Sequence, residues 1–448
     1  MKILSTLLFI TMTLSAQISI KKAWQNVENQ NDTLKASQYD IKRSRLKQES
    51  AESMYLPSVS LSASYTHLNA PIGLDISEIS DIVNPILTGI GAPHMKSEID
   101  FLERDILLAD LQVLYPLYTG GKIDAAQDAY AARVDEAEAK HHMEKDKAFL
   151  QLINLYYGVV MSESLHKTRQ ESQNALELHF NHAKKLKGQG QIAKAELLNA
   201  QVKFDAAKIE TTKAKHRLEI VTSALSSMIK EHSKPKSSLF ISKSTRNEHY
   251  FLNESIENYA ALGILDAKSK LANASVDIEK SAWYPQVVGY ANLNLYKDDS
   301  PVMELSPSSM VGVAVKFELF SRSDRSKEIQ AAQLLHSKVS SLKAQAIQDL
   351  HIAVKKTYNE MLLYKDEFAS LSSSLALAKE NYKLRNLAFS EGLATSVEVV
   401  DAQMFLSAAK TKRFAASYNY VKKLAELCVL SGDSELFFKF ENSSKKVR

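Results

Sequence analysis

Four stretches of the chain alternate apolar and polar residues with period two. In Ser58-Val59-Ser60-Leu61-Ser62-Ala63-Ser64-Tyr65-Thr66 every odd position is apolar and every even one carries a hydroxyl. From 107 to 117 the odd positions read Leu, Ala, Leu, Val, Tyr and Leu, with Asp110 and Gln112 between them. Val287, Gly289, Ala291, Leu293 and Leu295 interleave with Asn292 and Asn294, and Val311, Val313, Val315, Phe317 and Leu319 with Lys316 and Glu318. Alternation predicts antiparallel strands with one apolar face, here at about 55–68, 105–118, 284–296 and 310–320. Each run is about ten residues, the length of a membrane-spanning strand, and aromatic residues such as Tyr55, Tyr65, Tyr118, Trp283 and Phe320 sit near the ends, as in interfacial girdles. A closed barrel in lipid needs roughly eight strands or more, because an open edge leaves backbone groups unpaired. Four strands cannot close, so the chain is expected to pool them with copies of itself.

The remainder reads as helix, over residues 18–53, 123–186, 193–230, 255–282, 326–389 and 397–430. Breakers are few: 13 glycines and 9 prolines in 448 residues. A helix from 121 to 187 would be roughly 100 Å long at ~1.5 Å per residue, too long for a compact globular core. The last helix carries a seam at Val397, Val400, Met404, Ser407, Thr411, Phe414, Tyr418, Val421, Ala425 and Cys428, spaced alternately by three and four as in a left-handed coiled coil. A second seam follows at Val399, Ala402, Leu406, Ala409, Ala416, Tyr420, Leu427 and Leu430. Two seams suit a helix packed on both flanks in the wall of a tube; an ordinary amphipathic bundle helix is the simpler alternative. The helix after residue 193 has one such seam, from Leu197 to Met228.

The chain also repeats itself. Tyr115-Pro116-Leu117-Tyr118 resembles Phe317-Glu318-Leu319-Phe320 at an offset of 202, Tyr156 aligns with Tyr358, and Gly190 to Gln201 aligns with Gly392 to Gln403 at the same offset. Upstream, Tyr55-Leu56-Pro57 corresponds to Trp283-Tyr284-Pro285 at an offset of 228. The first half therefore holds 26 more residues between these landmarks, which we assign to an enlarged loop at 71–101. The organisation expected is a first repeat over 17–230 with a hairpin tip near 187–192, an inter-repeat segment at 231–254, a second repeat over 255–431 with a tip near 389–394, and a C-terminal tail at 432–448.

Bulk properties narrow the function. With 56 basic and 52 acidic residues, net +4, and no dense basic block, nucleic acid is not an expected partner. Lys2, the apolar run to Leu14 and the small residues Ser15 and Ala16 read as a secretory signal peptide over 1–16, a retained N-terminal helix being the alternative. No later apolar run approaches the ~20 residues of a membrane helix. The single cysteine, Cys428, permits no internal disulfide and lies far from the expected cleavage site, so no lipid anchor is expected there. Walker, HExxH, nucleophile-elbow and dinucleotide-binding patterns are absent from the sequence, and neither catalysis nor a cofactor is expected.

Two strand pairs, each followed by a long helix, a glycine turn and a returning helix, resemble the TolC family of outer-membrane efflux and export channels. The most specific stretch is Phe389-Ser390-Glu391-Gly392-Leu393-Ala394-Thr395-Ser396-Val397-Glu398-Val399-Val400-Asp401-Ala402, followed by Tyr418-Asn419-Tyr420 and Leu430-Ser431-Gly432. The resemblance implies a mainly α fold with a small β part: a homotrimer whose twelve-stranded barrel crosses the outer membrane above a long α-helical coiled-coil tunnel in the periplasm, with the inter-repeat segment at an equatorial belt. It implies a passive exit duct for a tripartite efflux pump or type I secretion system. Gly190, Gln191, Gly392 and Leu393 would be the tips that meet a periplasmic adaptor linked to an inner-membrane pump. A periplasmic coiled-coil scaffold without a channel is the competing reading.

Glu398 and Asp401 stand three apart on one helix face just after a tip turn. By the resemblance they form the entrance constriction, where stacked carboxylate rings would favour cations and crowding would raise some of their pKa values. Thr395-Ser396-Val397-Glu398 equally fits a capping box, which accounts for Glu398 without a pore but not for Asp401. Position 394 is alanine where some family members carry an arginine that helps latch the entrance. His179 and His182, three apart, form a weak candidate metal pair; solvated helical histidines are the commoner case.

Overall fold

The computed structural model describes residues 17–297 and 300–447; the expected signal peptide lies outside them. In chain order the elements are β1 (Gln17–Ile18), α1 (Ile20–Gln30), α2 (Asp32–Glu52), β2 (Ser58–His67), β3 (Ile72–Asp75), α3 (Ser77–Gly89), β4 (Glu98–Leu102), β5 (Asp105–Tyr118), α4 (Lys122–Gly188) and α5 (Lys194–Ile229). There follow β6 (Lys234–Pro235), β7 (Phe240–Ile241), α6 (Glu248–Asn258), α7 (Ala260–Ser281), β8 (Gln286–Tyr296), α8 (Pro301–Leu305), β9 (Ser309–Lys316), α9 (Arg325–Ser390), α10 (Ser396–Leu430), α11 (Glu435–Asn442) and β10 (Lys445–Lys446). They divide into two compact units, one made of residues up to 43, 135–267 and 340 onward, the other of 44–134 and 268–339.

The second unit holds an antiparallel sheet in the order β2-β5-β8-β9. Its register collects the alternating residues. Leu61 pairs with Leu111 and Leu111 with Leu293, while Val59 pairs with Val113, Val113 with Ala291, and Ala291 with Val311. Their neighbours point the other way, aligning Ser62, Asp110 and Asn294 in one row and Ser60, Gln112 and Asn292 in the next. The apolar face is exposed at Val59, Leu61, Tyr65, Leu293, Val311, Val313 and Val315. Near the end of β5 the register shifts between Pro116 and Tyr118, where proline has no N–H for the ladder. Strand β9 is shorter than expected, ending at Lys316 and leaving Phe317, Leu319 and Phe320 beyond it, all exposed.

Three expectations need correction. Residues 71–101 are not an irregular loop: β3 and β4 pair as a hairpin around α3. The helix expected over 18–53 is broken at Asn31, whose side chain turns back to accept the N–H groups of Thr33 and Leu34. The helix expected over 255–282 begins earlier, at Glu248, and is broken at Tyr259. Asn31 and Tyr259 are 228 residues apart, the offset that relates the two halves at this level, so each repeat opens on a broken helix.

In the first unit a large aromatic core gathers distant parts of the chain. Phe437 of α11 lies 5.8 Å from Phe149 of α4, 5.8 Å from Phe240 of β7 and 6.1 Å from Tyr157, ring centre to ring centre and all edge-on. The C-terminal residues are thus built into the core, and β10 pairs with β7. The inter-repeat segment is pinned by two buried hydroxyls. That of Tyr156 donates to Ile18 O at 2.8 Å and accepts from the N–H groups of Lys236 and Ser237, and that of Tyr420 accepts from Ser242 N.

Helix α10 uses both of its seams. Leu406 and Ala409 of the second pack with Ala378, Leu375 and Tyr382 of α9. On the other flank Ser407 accepts from Arg169 of α4 at 3.3 Å and Tyr418 donates to Asn154 O at 3.2 Å. The seam of α5 turns toward α4, where Phe180 stacks on Phe204 and Thr211 donates to Arg169 O. The opposite flank of α5 leaves Leu198, Val202, Ile209 and Ile220 exposed, and α9 exposes Leu342, Ile352, Leu363, Leu377 and Leu384.

Burial of Asp146 on α4 pushes its carboxyl from 3.8 up to about 6, against the nearby Lys145, which lowers it. The ionised form is the disfavoured one in the folded chain. Its cost is therefore absent below pH 4, grows between about 4 and 6, and is full above. Asp146→Asn is expected to raise stability at pH ~7.5 by about 1–2 kcal/mol. Thermal melts of both proteins should converge at about pH 3, below the ordinary value of 3.8 and the raised one alike; an equal gain at both pH values would show that ionisation is not the cause.

Candidate functional site

Both hairpin tips end their first helix by the same rule. Gly190 and Gly392 have φ of 75° and 73°. Gln191 N bonds Leu186 O and Gly190 N bonds Lys187 O; Leu393 N bonds Ala388 O and Gly392 N bonds Phe389 O. This six-to-one and five-to-two pairing is the Schellman motif, which needs a left-handed residue that only glycine adopts without strain. Such turns usually fold the next residue back onto the helix. Leu393 instead stands 82% exposed. The two tips share a groove of about 610 Å³ lined by Gln191, Ile192 and Glu196 from one and by Phe389, Leu393 and Glu398 from the other.

His179 braces the tips. It is buried, its Nε2 lies 2.6 Å from Ser396 Oγ at the start of α10, and its ring rests 4.5 Å from Phe389. Burial first and His182 second lower its pKa to about 4, so it is neutral at neutral pH. His182 is exposed to solvent, and the described residues hold no group of three side chains suited to a metal. The two histidines of the candidate pair differ in setting, His179 buried against Ser396 and Phe389 and His182 open to solvent.

The capping box is present. Glu398 N bonds Thr395 Oγ1 at 3.3 Å, and the Glu398 carboxylate accepts from Thr395 N at 2.8 Å. The carboxylate has a second partner that sequence reasoning missed, Arg385 of α9, whose Nη1 is 2.7 Å away. The Thr395 backbone bond first, then the Thr395 hydroxyl and the Arg385 charge, hold the exposed Glu398 carboxylate below its ordinary range, outweighing an opposing desolvation. Within one chain its pKa is thus lowered, where carboxylate crowding would raise it. The sequence did carry a signal for Arg385: it precedes Gly392 by seven residues and Glu398 follows it by six, so the hairpin sets them opposite one another. Asp401, one turn on, is exposed.

The same fold occurs in solved outer-membrane channels. CusC superposes with a TM-score of 0.76 at 12% identity, over 93% of this chain and 92% of that one. VceC of Vibrio cholerae gives 0.73 at 14% identity over 93% and 96%, and the open-state MtrE channel of Neisseria gonorrhoeae 0.72 at 15% over 93% and 89%. A comparison with curated protein sequences finds no match. The sequence profile of the outer membrane efflux proteins, however, matches residues 23–229 and 251–433, which take in the long helices and the four-stranded sheet described above. This chain belongs to the outer membrane efflux protein family.

Proposed function

We propose that the protein is the passive exit duct of a tripartite efflux pump or type I secretion system, three copies pooling their strands into a twelve-stranded barrel above a periplasmic helical tunnel. The observation carrying this reading is the four-stranded sheet, apolar on one face and polar on the other, whose outer strands β2 and β9 each have one partner strand among the described residues. An apolar sheet face suits lipid, and open edges there need further strands. The exposed apolar flanks of α5 and α9 support lateral packing of copies in the helical region as well. A scaffold without a channel gives that apolar sheet face no role. Amine crosslinking of the purified protein should stop at three chains; a ladder ending at two would contradict the shared barrel.

The tip groove, with Gly190, Gln191, Gly392 and Leu393, is the surface for a periplasmic adaptor, and the exposed Leu393 is its apolar anchor. Glu398 and Asp401 form the constriction, Arg385 tempering the charge of the Glu398 ring. Arg385→Ala should raise the cation preference of single channels in planar bilayers by roughly a factor of two to five, since it removes three positive charges beside three carboxylates. Adding Glu398→Ala and Asp401→Ala should abolish the preference. Unchanged selectivity in all these variants would place the constriction elsewhere.

A further inference from the structure

The residues that lengthen the first repeat build an inverted helix. On α3 the side chains of Ser80, Asn84 and Thr88, spaced by four, face the returning segment 94–97. Ser80 is fully buried against Ser97, Asn84 both donates to and accepts from the Met95 backbone, at 3.0 and 2.7 Å, and Thr88 Oγ1 lies 2.7 Å from His94 Nε2. The apolar stripe points outward: Ile79, Ile82, Ile86 and Ile90 are between 55% and 73% exposed. A helix that anchors itself by its polar side and leaves three isoleucines to solvent, with Ile90 continuing the stripe just past its end, has a face made for something else.

Charge argues against lipid as its cover. Residues 71–102 carry five acidic side chains and one lysine, and α3 itself holds Glu78 and Asp81 with no basic residue; helices that lie on membrane surfaces are rich in lysine and arginine. Geometry favours a copy of the chain. The segment leads from β2, the sheet's outermost strand and an edge to which a copy would pair, to β5. Isoleucine at both seam positions, here 79, 82 and 86, favours three packed helices over two.

We propose that α3 associates with the α3 helices of two further copies, their isoleucine faces together forming a plug across the outer mouth of the channel. This rests on the trimer reading and adds to it. In a preparation whose amine crosslinking stops at three chains, Ile82→Cys should form an interchain disulfide on mild oxidation and give a two-chain band, the third thiol lacking a partner; Cys428 is buried and does not compete. Ile82→Asp with Ile86→Asp leaves the strands β2 and β9, through which the copies would pool their sheets, unchanged, so the trimer should persist while single-channel conductance rises about twofold or more. A trimer in which the thiols introduced by Ile82→Cys stay single-chain and react freely with an impermeant maleimide, or in which a fluorophore attached to them is quenched by a lipid-borne quencher, overturns the plug and leaves the trimer standing. Unchanged conductance of the double variant overturns it equally. A ladder that ends below three chains removes both.

Discussion

Val313→Lys is expected to abolish assembly in the outer membrane, while Ala314→Lys one residue away is tolerated. Both side chains are exposed in the single chain, so exposure does not separate them. The register does. Val313 pairs with Gly289 on the face that carries Val311 and Val315, whereas Ala314 pairs with Val288 on the face of the Ser-Gln-Asn rows. A lysine facing lipid at mid-depth costs about 2–4 kcal/mol. Three copies multiply this to about 6–12 kcal/mol per trimer, comparable to the whole stability of an ordinary domain. A lysine on the opposite face meets water and should alter conduction alone. Heat-resistant trimer recovered from outer membranes is the readout. Equal tolerance of the two variants, or equal loss, would mean that neither face is turned to lipid.

This contrast was available from the sequence, because a sheet apolar on one face and polar on the other leaves period two unblurred. The strands at 58–67 and 286–296 fall almost where alternation put them. The glycine tips were legible too, since a left-handed turn demands that residue twice at one offset. The breaks at Asn31 and Tyr259 were not, because neither is glycine or proline; Asn31 acts through a side-chain bond to the following turn, a signal that exists at many asparagines. Residues 71–101 hid their order for a different reason. The helix there turns its polar side inward, and β3 and β4 are too short at four and five residues to show a period. Arg385 escaped because its pairing is a property of the hairpin register, not of the motif around Glu398. The role of Leu436, Phe437, Phe438 and Phe440 was invisible for want of partners nearby: the rings that Phe437 meets in α4 and β7 lie some 200 to 290 residues earlier in the chain.

Those rings give the second large effect. Phe437→Ala should destabilise the protein by about 3–5 kcal/mol, the usual cost of emptying a buried phenylalanine site. The upper part of that range is favoured, because Phe437 is fully buried and edge-on to Phe149, Tyr157, Phe240 and Phe438, contacts worth about 0.5–1.5 kcal/mol each beyond area. Trp24, buried with its ring 5.2 Å from that of Phe149, reports on this core by its fluorescence during denaturation. Phe320→Ala, at a ring 96% exposed in the chain, is the matched control and should leave the denaturation midpoint of this core unchanged. The consequence reaches further than one cavity. Phe240 and Ile241 hold the inter-repeat segment to the core and to β10, so loosening Phe437 loosens the link between the two repeats. Proteolysis of the variant should therefore begin within 231–247, where the wild type resists it. Cleavage elsewhere, with the Trp24 transition unmoved, would show that the C-terminal helix merely decorates a core that stands without it.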